Sequence, residues 1–267
     1  MEDTRQYTST ELKQLHTVLY EILEEVVRVC NQLEIPFFMI GGSAIGVYYW
    51  NGIIPFDDDI DIGMTRSNYK RFLKEAPKIL DDKYFLQCYD TEPHMPYYFA
   101  KVRKNGTRYV EHSTKDMRIH QGIFVDIIPF DKIPNYKFLE QIQYKLANFV
   151  CEMISYRENP AQSNIHPKID KIVSKFIHKN ILIKCLTLIQ TFFNRCNTKY
   201  YNNVMIRADH IPVEDLMLLQ PAKFGGVDVF VPNHLERYLH FHYPSLKKVL
   251  TDEEKKKYSH APLELSL

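Results

Sequence analysis

Pro36-Phe37-Phe38-Met39-Ile40-Gly41-Gly42-Ser43 and, a short way on, Ile53-Ile54-Pro55-Phe56-Asp57-Asp58-Asp59-Ile60-Asp61-Ile62 decide how this chain reads. The first run is apolar and aromatic, as a buried strand is, and the glycine pair ends it without side-chain bulk. A helix starting at Ser43 would turn its first N–H groups and its positive dipole end toward the space over the glycines, which suits a phosphate. In the second run Ile60, Ile62 and Met64 point one way while Asp59 and Asp61 point the other. Two carboxylates therefore share one strand face, about 7 Å apart at their Cα atoms by strand rise. Like charges at that spacing repel and raise each other's pKa. A divalent cation relieves this, and hard cations such as magnesium take carboxylate and phosphate oxygens together.

Plainer readings compete. Gly-Gly-Ser is also an ordinary turn, and an Asp-x-Asp pair also occurs on solvated strands. Four aspartates in five positions could be a calcium loop. That register, started at Asp57, needs glycine at its sixth position and glutamate at its twelfth, where Ile62 and Asn68 stand.

Working outward, Leu12, Leu15, Leu19, Ile22, Leu23, Val26, Cys30 and Leu33 recur at helical spacing behind a Thr8/Glu11 capping box. Tyr48-Tyr49-Trp50-Asn51-Gly52 closes a short helix with Gly52 as its stop, its aromatics either core or a stacking surface for a base or quaternary ammonium. Ser67 can cap the next helix. Strand-like runs at 84–89, 97–103 and 108–111 follow, and Asn105-Gly106 signals a hairpin. In the middle run Lys101 and Arg103 share one face, as on a solvated edge strand. Asp126 sits alone amid the apolar run 123–130, where an unpaired charge is costly unless paired or metal-bound. Asp131 reads as a strand-end aspartate bonded to a loop, and His120 as a loop histidine.

A helix is expected over 136–156, then a linker over 158–164. Residues 168–195 read as a long amphipathic helix, with six Lys/Arg against Asp170 and Ile169, Ile172, Val173, Phe176 and Ile177 on one side. Its plain role is a helical cap on the core; its sharper role is peripheral contact with an anionic membrane or a polyprenyl-linked acceptor. Residues 223–232 read as a hairpin, 234–242 as a short helix, and Lys255-Lys256-Lys257 as a solvated helix face.

The 267 residues and net charge of +1 bound the rest. One large domain is enough to bury a full core. The charge argues against nucleic acid as a partner, for which a strongly basic face is expected. Five cysteines without paired spacing fit a reducing compartment. The polar N-terminus and the absence of 18 uninterrupted apolar residues make a cytoplasmic protein, with peripheral contact at the inner face of the membrane as its further option, the expectation.

The acidic run, preceded by Gly41-Gly42-Ser43 and followed by Gly122-Ile123-Phe124-Val125-Asp126-Ile127-Ile128-Pro129-Phe130-Asp131, resembles the LicD family of the nucleotidyltransferase-fold superfamily. The likeness is dense from Thr17 to Asp131 and returns weakly over 223–243, where the family's acidic glycine-containing turn is replaced by His242-Tyr243-Pro244-Ser245. The resemblance implies an α/β (α+β) fold: a nucleotidyltransferase-type mixed sheet with flanking helices and a C-terminal helical cap, divided as a core over 1–160 and a cap with closing hairpin over 161–267. It implies transfer of a phospho-alcohol, such as phosphocholine, from a CDP-alcohol donor to a glycan or lipid-linked glycan acceptor. By resemblance, Asp59, Asp61 and Asp126 are the catalytic and metal-holding acids for magnesium or manganese, with Asp126 orienting the acceptor hydroxyl. Gly41, Gly42 and Ser43 hold the donor diphosphate, Lys101 or Arg103 meets the leaving phosphate, and Asp57 and Asp58 support the metal site or bind acceptor. Two alternatives stay open: a nucleotidyltransferase using a nucleoside triphosphate, and a non-catalytic scaffold of glycan assembly.

Overall fold

The computed structural model describes residues 6–159, 172, 176–205, 210–251 and 261–267. Helix α1 (Ser9–Gln32) starts where the sequence puts it: Thr8 accepts from the Glu11 N–H at 3.1 Å while the Glu11 carboxylate accepts from the Thr8 N–H at 2.9 Å. This reciprocal cap satisfies two amides that the first helical turn leaves without partners. The apolar stripe of α1, with Leu15, Ile22, Leu23 and Val26 at 0% exposure, lies on a mixed sheet.

Short strand β1 (Phe38–Met39) leads into α2 (Gly41–Trp50), then β2 (Asp61–Thr65), α3 (Arg66–Glu75), β3 (Tyr84–Gln87), β4 (Ala100–Lys104), β5 (Arg108–Val110) and β6 (Phe124–Ile133). The sheet order is β1-β2-β6-β4-β3; β2 and β6 are parallel and the other pairs in this path antiparallel. Helix α4 (Lys137–Glu158) and α5 (Lys179–Thr191) follow. Strand β7 (Tyr200–Asn202) pairs with the end of β6 and with β8 (Ile211–Pro212), after which come α6 (Val213–Met217), the hairpin of β9 (Gln220–Phe224) and β10 (Val227–Val231), α7 (Leu235–His242) and β11 (Glu264–Ser266). The architecture is the mixed α/β class expected.

Two apolar clusters divide the labour. The larger joins α1, the sheet and the late residues Phe224, Val229, Val231, Tyr238 and Leu239, so the closing hairpin and α7 pack into the same core as the N-terminal helix. The smaller joins Ile133 and Val204 to Ala147, Val150 and Ile154 of α4 and Leu182 and Leu186 of α5.

Several local expectations change. Helix α2 begins at Gly41, not Ser43, and it ends on Asn51, which takes a left-handed conformation (φ 50°) one residue before the stop expected at Gly52. Asparagine tolerates this conformation because its short polar side chain bonds locally. The residue before α3 is Thr65, so Ser67 lies within the helix rather than capping it. The chain does turn at Gly106 (φ 78°), but β5 leaves the main sheet and pairs with the C-terminal strand β11 instead of closing a hairpin on β4. On the segment 168–195, Ile172 and Phe176 are 63% and 75% exposed and do not form the packed side expected of them. Helix α5 starts at Lys179 behind His178, and its buried residues are Leu182, Leu186 and Gln190. Lys168, Lys171, Lys175, Ile169, Val173 and Lys255-Lys256-Lys257 lie outside the described residues. No described helix is long and apolar enough to cross a membrane.

Candidate active site

The strand register builds the site. Asp61 on β2 stands opposite Asp126 on β6, Asp126 opposite Lys101 on β4, and Lys101 opposite Gln87 on β3. Directly paired residues project from the same face of a sheet, so one row carries two acids and then a base. The row exists because β2 runs parallel to β6: Ile60, Ile62 and Met64, all at 0% exposure, fill the other face and lock the register.

The acids crowd against the start of α2. A side chain on Gly42 would place its Cβ 2.7 Å from an Asp57 carboxylate oxygen, and one on Gly41 would place it 3.2 Å from an Asp61 oxygen. Gly41 also has φ +53°, a conformation that favours glycine. The glycine pair is therefore demanded by close approach of carboxylates as well as by the turn. Ser43 is buried, and its hydroxyl accepts the Asp61 N–H at 2.9 Å, fixing the strand to the helix. Carboxylate oxygens of Asp57, Asp58 and Asp59 lie within 4.8 Å of one another. This is a tighter group than the Asp59, Asp61 and Asp126 set expected from the sequence.

Burial, with the charge of Asp58 added to it, pushes the Asp57 carboxyl up to about 7. Burial and the surrounding charges of Asp61, Asp57, Asp58 and Asp126 hold Asp59 well above the usual carboxylate range. Asp58 itself turns inward, accepting the Tyr7 hydroxyl at 2.7 Å and the Tyr109 hydroxyl at 3.0 Å, and is 3% exposed. His16 bonds the Asp57 carbonyl through Nε2 at 2.7 Å, and burial lowers its pKa.

Gly42, Asp57, Asp59 and Asp61 line a cavity of about 470 Å³ whose other walls include Trp50, Phe56 and the segment from His242 to Leu250. Carboxylates at one end, a helix start beside them and apolar rings around them suit an anionic ligand brought in with a hard cation.

Lys101 and Arg103 do not face that space. Lys101, 2% exposed, lies 3.0 Å from Asp126 and sits 3.4 Å from the centre of the Phe124 ring. Arg103, at 0% exposure, donates to Gln87 at 2.7 Å and to the Gly122 carbonyl at 2.6 Å. The expectation that Arg103 meets a donor phosphate fails on this burial: its guanidinium is enclosed and holds the loop before β6. Burial raises Asp126 while Lys101 opposes the rise. Glu111, which the sequence reading passed over, joins this network through the Tyr97 hydroxyl at 2.5 Å and through Lys101 and Arg103 at 3.9 and 3.8 Å. Burial alone would raise its carboxyl, but Lys101, Tyr97 and Arg103 hold it below the usual range. No local signal pointed to Glu111, because the sequence presents Lys101 and Arg103 as solvated cations and only their burial in the fold requires an acid beside them.

Asp131, bonded to a loop as expected, is gripped by Arg66 and by Asn194 Nδ2 at 2.6 Å. His120 is a loop residue, its Nε2 2.9 Å from Asn105 and its ring stacked on Phe85.

Comparison with known proteins bears on this arrangement. Residues 34–152 match the family model described as LicD/FKTN/FKRP, nucleotidyltransferase domain. The chain is 24% identical over 64% of its length to the lipopolysaccharide cholinephosphotransferase LicD of Haemophilus influenzae. It is 26% identical over 54% of its length to an uncharacterized protein of Rickettsia typhi, and 24% over 49% to one of Rickettsia prowazekii. These matches span 66%, 42% and 46% of the relatives' own lengths, less than two thirds in each case. The cavity acids Asp57, Asp59 and Asp61, the glycine pair and the Asp126 strand all fall inside the segment, residues 34–152, that is similar to the LicD family's nucleotidyltransferase domain.

Proposed function

We propose that this chain is a metal-dependent transferase that moves a phospho-alcohol, such as phosphocholine, from a CDP-linked donor to a hydroxyl of a cell-surface glycan or its lipid-linked precursor. The observation that carries the reading is the cavity lined together by Gly42, Asp57, Asp59 and Asp61, with Asp57 crowded against Gly42 and Asp61 against Gly41. The named activity of the Haemophilus influenzae relative, choline phosphate transfer to lipopolysaccharide, supports the substrate class.

The donor set fits the metal: hard carboxylate oxygens, two of them raised by burial and then by neighbouring acids, suit magnesium or manganese. Asp57, Asp59 and Asp61 would hold it, and when bound it supplies positive charge at phosphate oxygens. The chain's own groups do the rest. The first amides of α2, a ten-residue helix, offer hydrogen bonds and the positive dipole end to the donor diphosphate at Gly42. Ser43 keeps Asp61 in place through its backbone. Asp126, raised by burial and restrained by Lys101, is suited to accept the proton of an acceptor hydroxyl. Lys101 acts through Asp126 by holding its carboxylate.

Purified protein with magnesium or manganese, offered a panel of CDP-alcohols and nucleoside triphosphates with candidate glycans, tests this by phosphorus NMR. CMP with a new phosphodiester signal is the expected result. Pyrophosphate released from a triphosphate would replace the reading with nucleotidyl transfer.

A further inference from the structure

The wall of the acid cavity opposite Gly42 comes from a part of the chain that the family match does not reach. After α7 the backbone makes a bonded turn, the Tyr243 N–H donating to the Leu239 carbonyl at 2.7 Å and the Leu246 N–H to the Tyr243 carbonyl at 2.9 Å. Tyr243 and Leu246 pack against the main core. Helix α7 is tied to α2 by the Gly41 N–H donating to the Tyr238 hydroxyl at 3.2 Å and by the Tyr48 hydroxyl donating to Glu236 at 3.1 Å. The next residue after this anchored turn is Lys247, which is exposed and lines the same cavity as Gly42, Asp57, Asp59 and Asp61.

We propose that Lys247 binds the diphosphate of the donor, an inference that rests on the transferase reading above. Lys247 is the single lysine or arginine among the described residues lining the cavity. The two cations expected there from the sequence, Lys101 and Arg103, are enclosed and held by Asp126, Gln87 and Gly122. An ammonium on a flexible stem is a point charge with three donors, which suits phosphate oxygens whose position shifts as a linkage breaks. The apolar walls formed by Ile45, Trp50, Phe56 and Leu250 strengthen its attraction to an anion by excluding water.

Trp50 is the one tryptophan of the chain and lines this cavity, so its fluorescence reports entry of a ligand without turnover. Wild type, Lys247→Ala, Lys247→Arg and Lys248→Ala are titrated with CDP-choline and with inorganic pyrophosphate in magnesium. Removing a charge-assisted contact weakens binding about 10- to 30-fold. That loss is expected for Lys247→Ala with both probes, with a matching rise in donor KM, recovery in Lys247→Arg and no change in Lys248→Ala. Unchanged CDP-choline and pyrophosphate binding by Lys247→Ala overturns the inference, as does tighter magnesium binding alone, which marks a lysine that only offsets the acids. If wild type ignores CDP-choline while Lys247→Ala loses pyrophosphate, the transferase reading falls and the lysine's anion site stands. If wild type binds neither probe, both fall.

Discussion

Asp131 lies on β6 and Asp59 two residues before β6's parallel neighbour β2, yet their surroundings differ in sign. Around Asp131 the protein supplies its own compensation: Arg66 Nε sits 3.0 and 3.1 Å from its two oxygens, and Asn194 adds a third donor. Around Asp59 the nearest charges are four more aspartates, and the carboxyl is driven upward. The clasp at Asp131 holds the start of α3 and the end of α5 to the sheet and has nothing left to offer a ligand. The acid cavity is the reverse, a place where stability is spent to leave oxygens available. The difference teaches that enclosure of an acid does not mark a site; what matters is whether the chain answers the charge.

The comparison breaks first at Asp59. Asp59→Asn and Asp61→Asn are expected to lower transferase turnover by roughly a thousandfold or more, because several kcal/mol of charge stabilisation at phosphate goes with the metal. Circular dichroism should show both variants folded. Wild-type turnover in both at saturating magnesium removes the acids from the mechanism.

The clasp should respond in stability instead. Arg66→Ala leaves Asp131 buried without its partner, at a cost of about 3–5 kcal/mol. Urea unfolding should show that loss, while the molecules still folded at low denaturant keep wild-type donor KM. A shifted KM would make the clasp part of the site.

Titration sharpens the contrast. The folded chain raises Asp57 to about 7 against an unfolded value near 3.8, so it keeps a proton that the unfolded chain has released. The stabilisation from that proton is complete below the unfolded value and is lost as pH rises through the folded one. Metal-free wild type should therefore lose on the order of 3 kcal/mol between pH 4 and 7, read as a falling Tm. Magnesium or manganese added near pH 7 should restore it, less so in Asp59→Asn. A flat metal-free profile over this range would show that the cavity acids do not repel.

The smallest effect belongs to Asn194→Ala, which removes one donor from Asp131 and leaves Arg66 in place. About 1–2 kcal/mol of stability should go, with no change in turnover. A loss as large as that of Arg66→Ala would mean that Arg66 cannot hold Asp131 unaided.

Much of this was legible in the chain because it is local. Thr8 with Glu11, the alternation from Ile60 to Met64, the glycine pair and the solitary acid of the run 123–130 are short-range patterns whose physics acts within a turn or a strand. They were enough for the mixed α/β class, the first helix and the two acid-bearing strands, with the resemblance to the LicD family lending the acids their roles. What failed locally failed by competition: Gly52 was the better left-handed residue by propensity, but the chain turned at Asn51, and Asn105-Gly106 turned without making β4 and β5 partners.

Tertiary structure alone decided which charges meet. Lys101 and Arg103 share a strand face in the sequence, and only the pairing of β4 with β6 shows that this face is covered, so that both cations serve Asp126, Glu111, Gln87 and Gly122. Asp58 sits between two cavity acids in the chain and yet points to Tyr7 and Tyr109, and Lys247 reaches the cavity from far beyond the acidic run. A sequence fixes which face of a strand a side chain takes, because that is set by the backbone's period of two. It does not fix what lies over that face, because the covering element arrives from a distant part of the chain, and the energy of a charge depends on its neighbours in space.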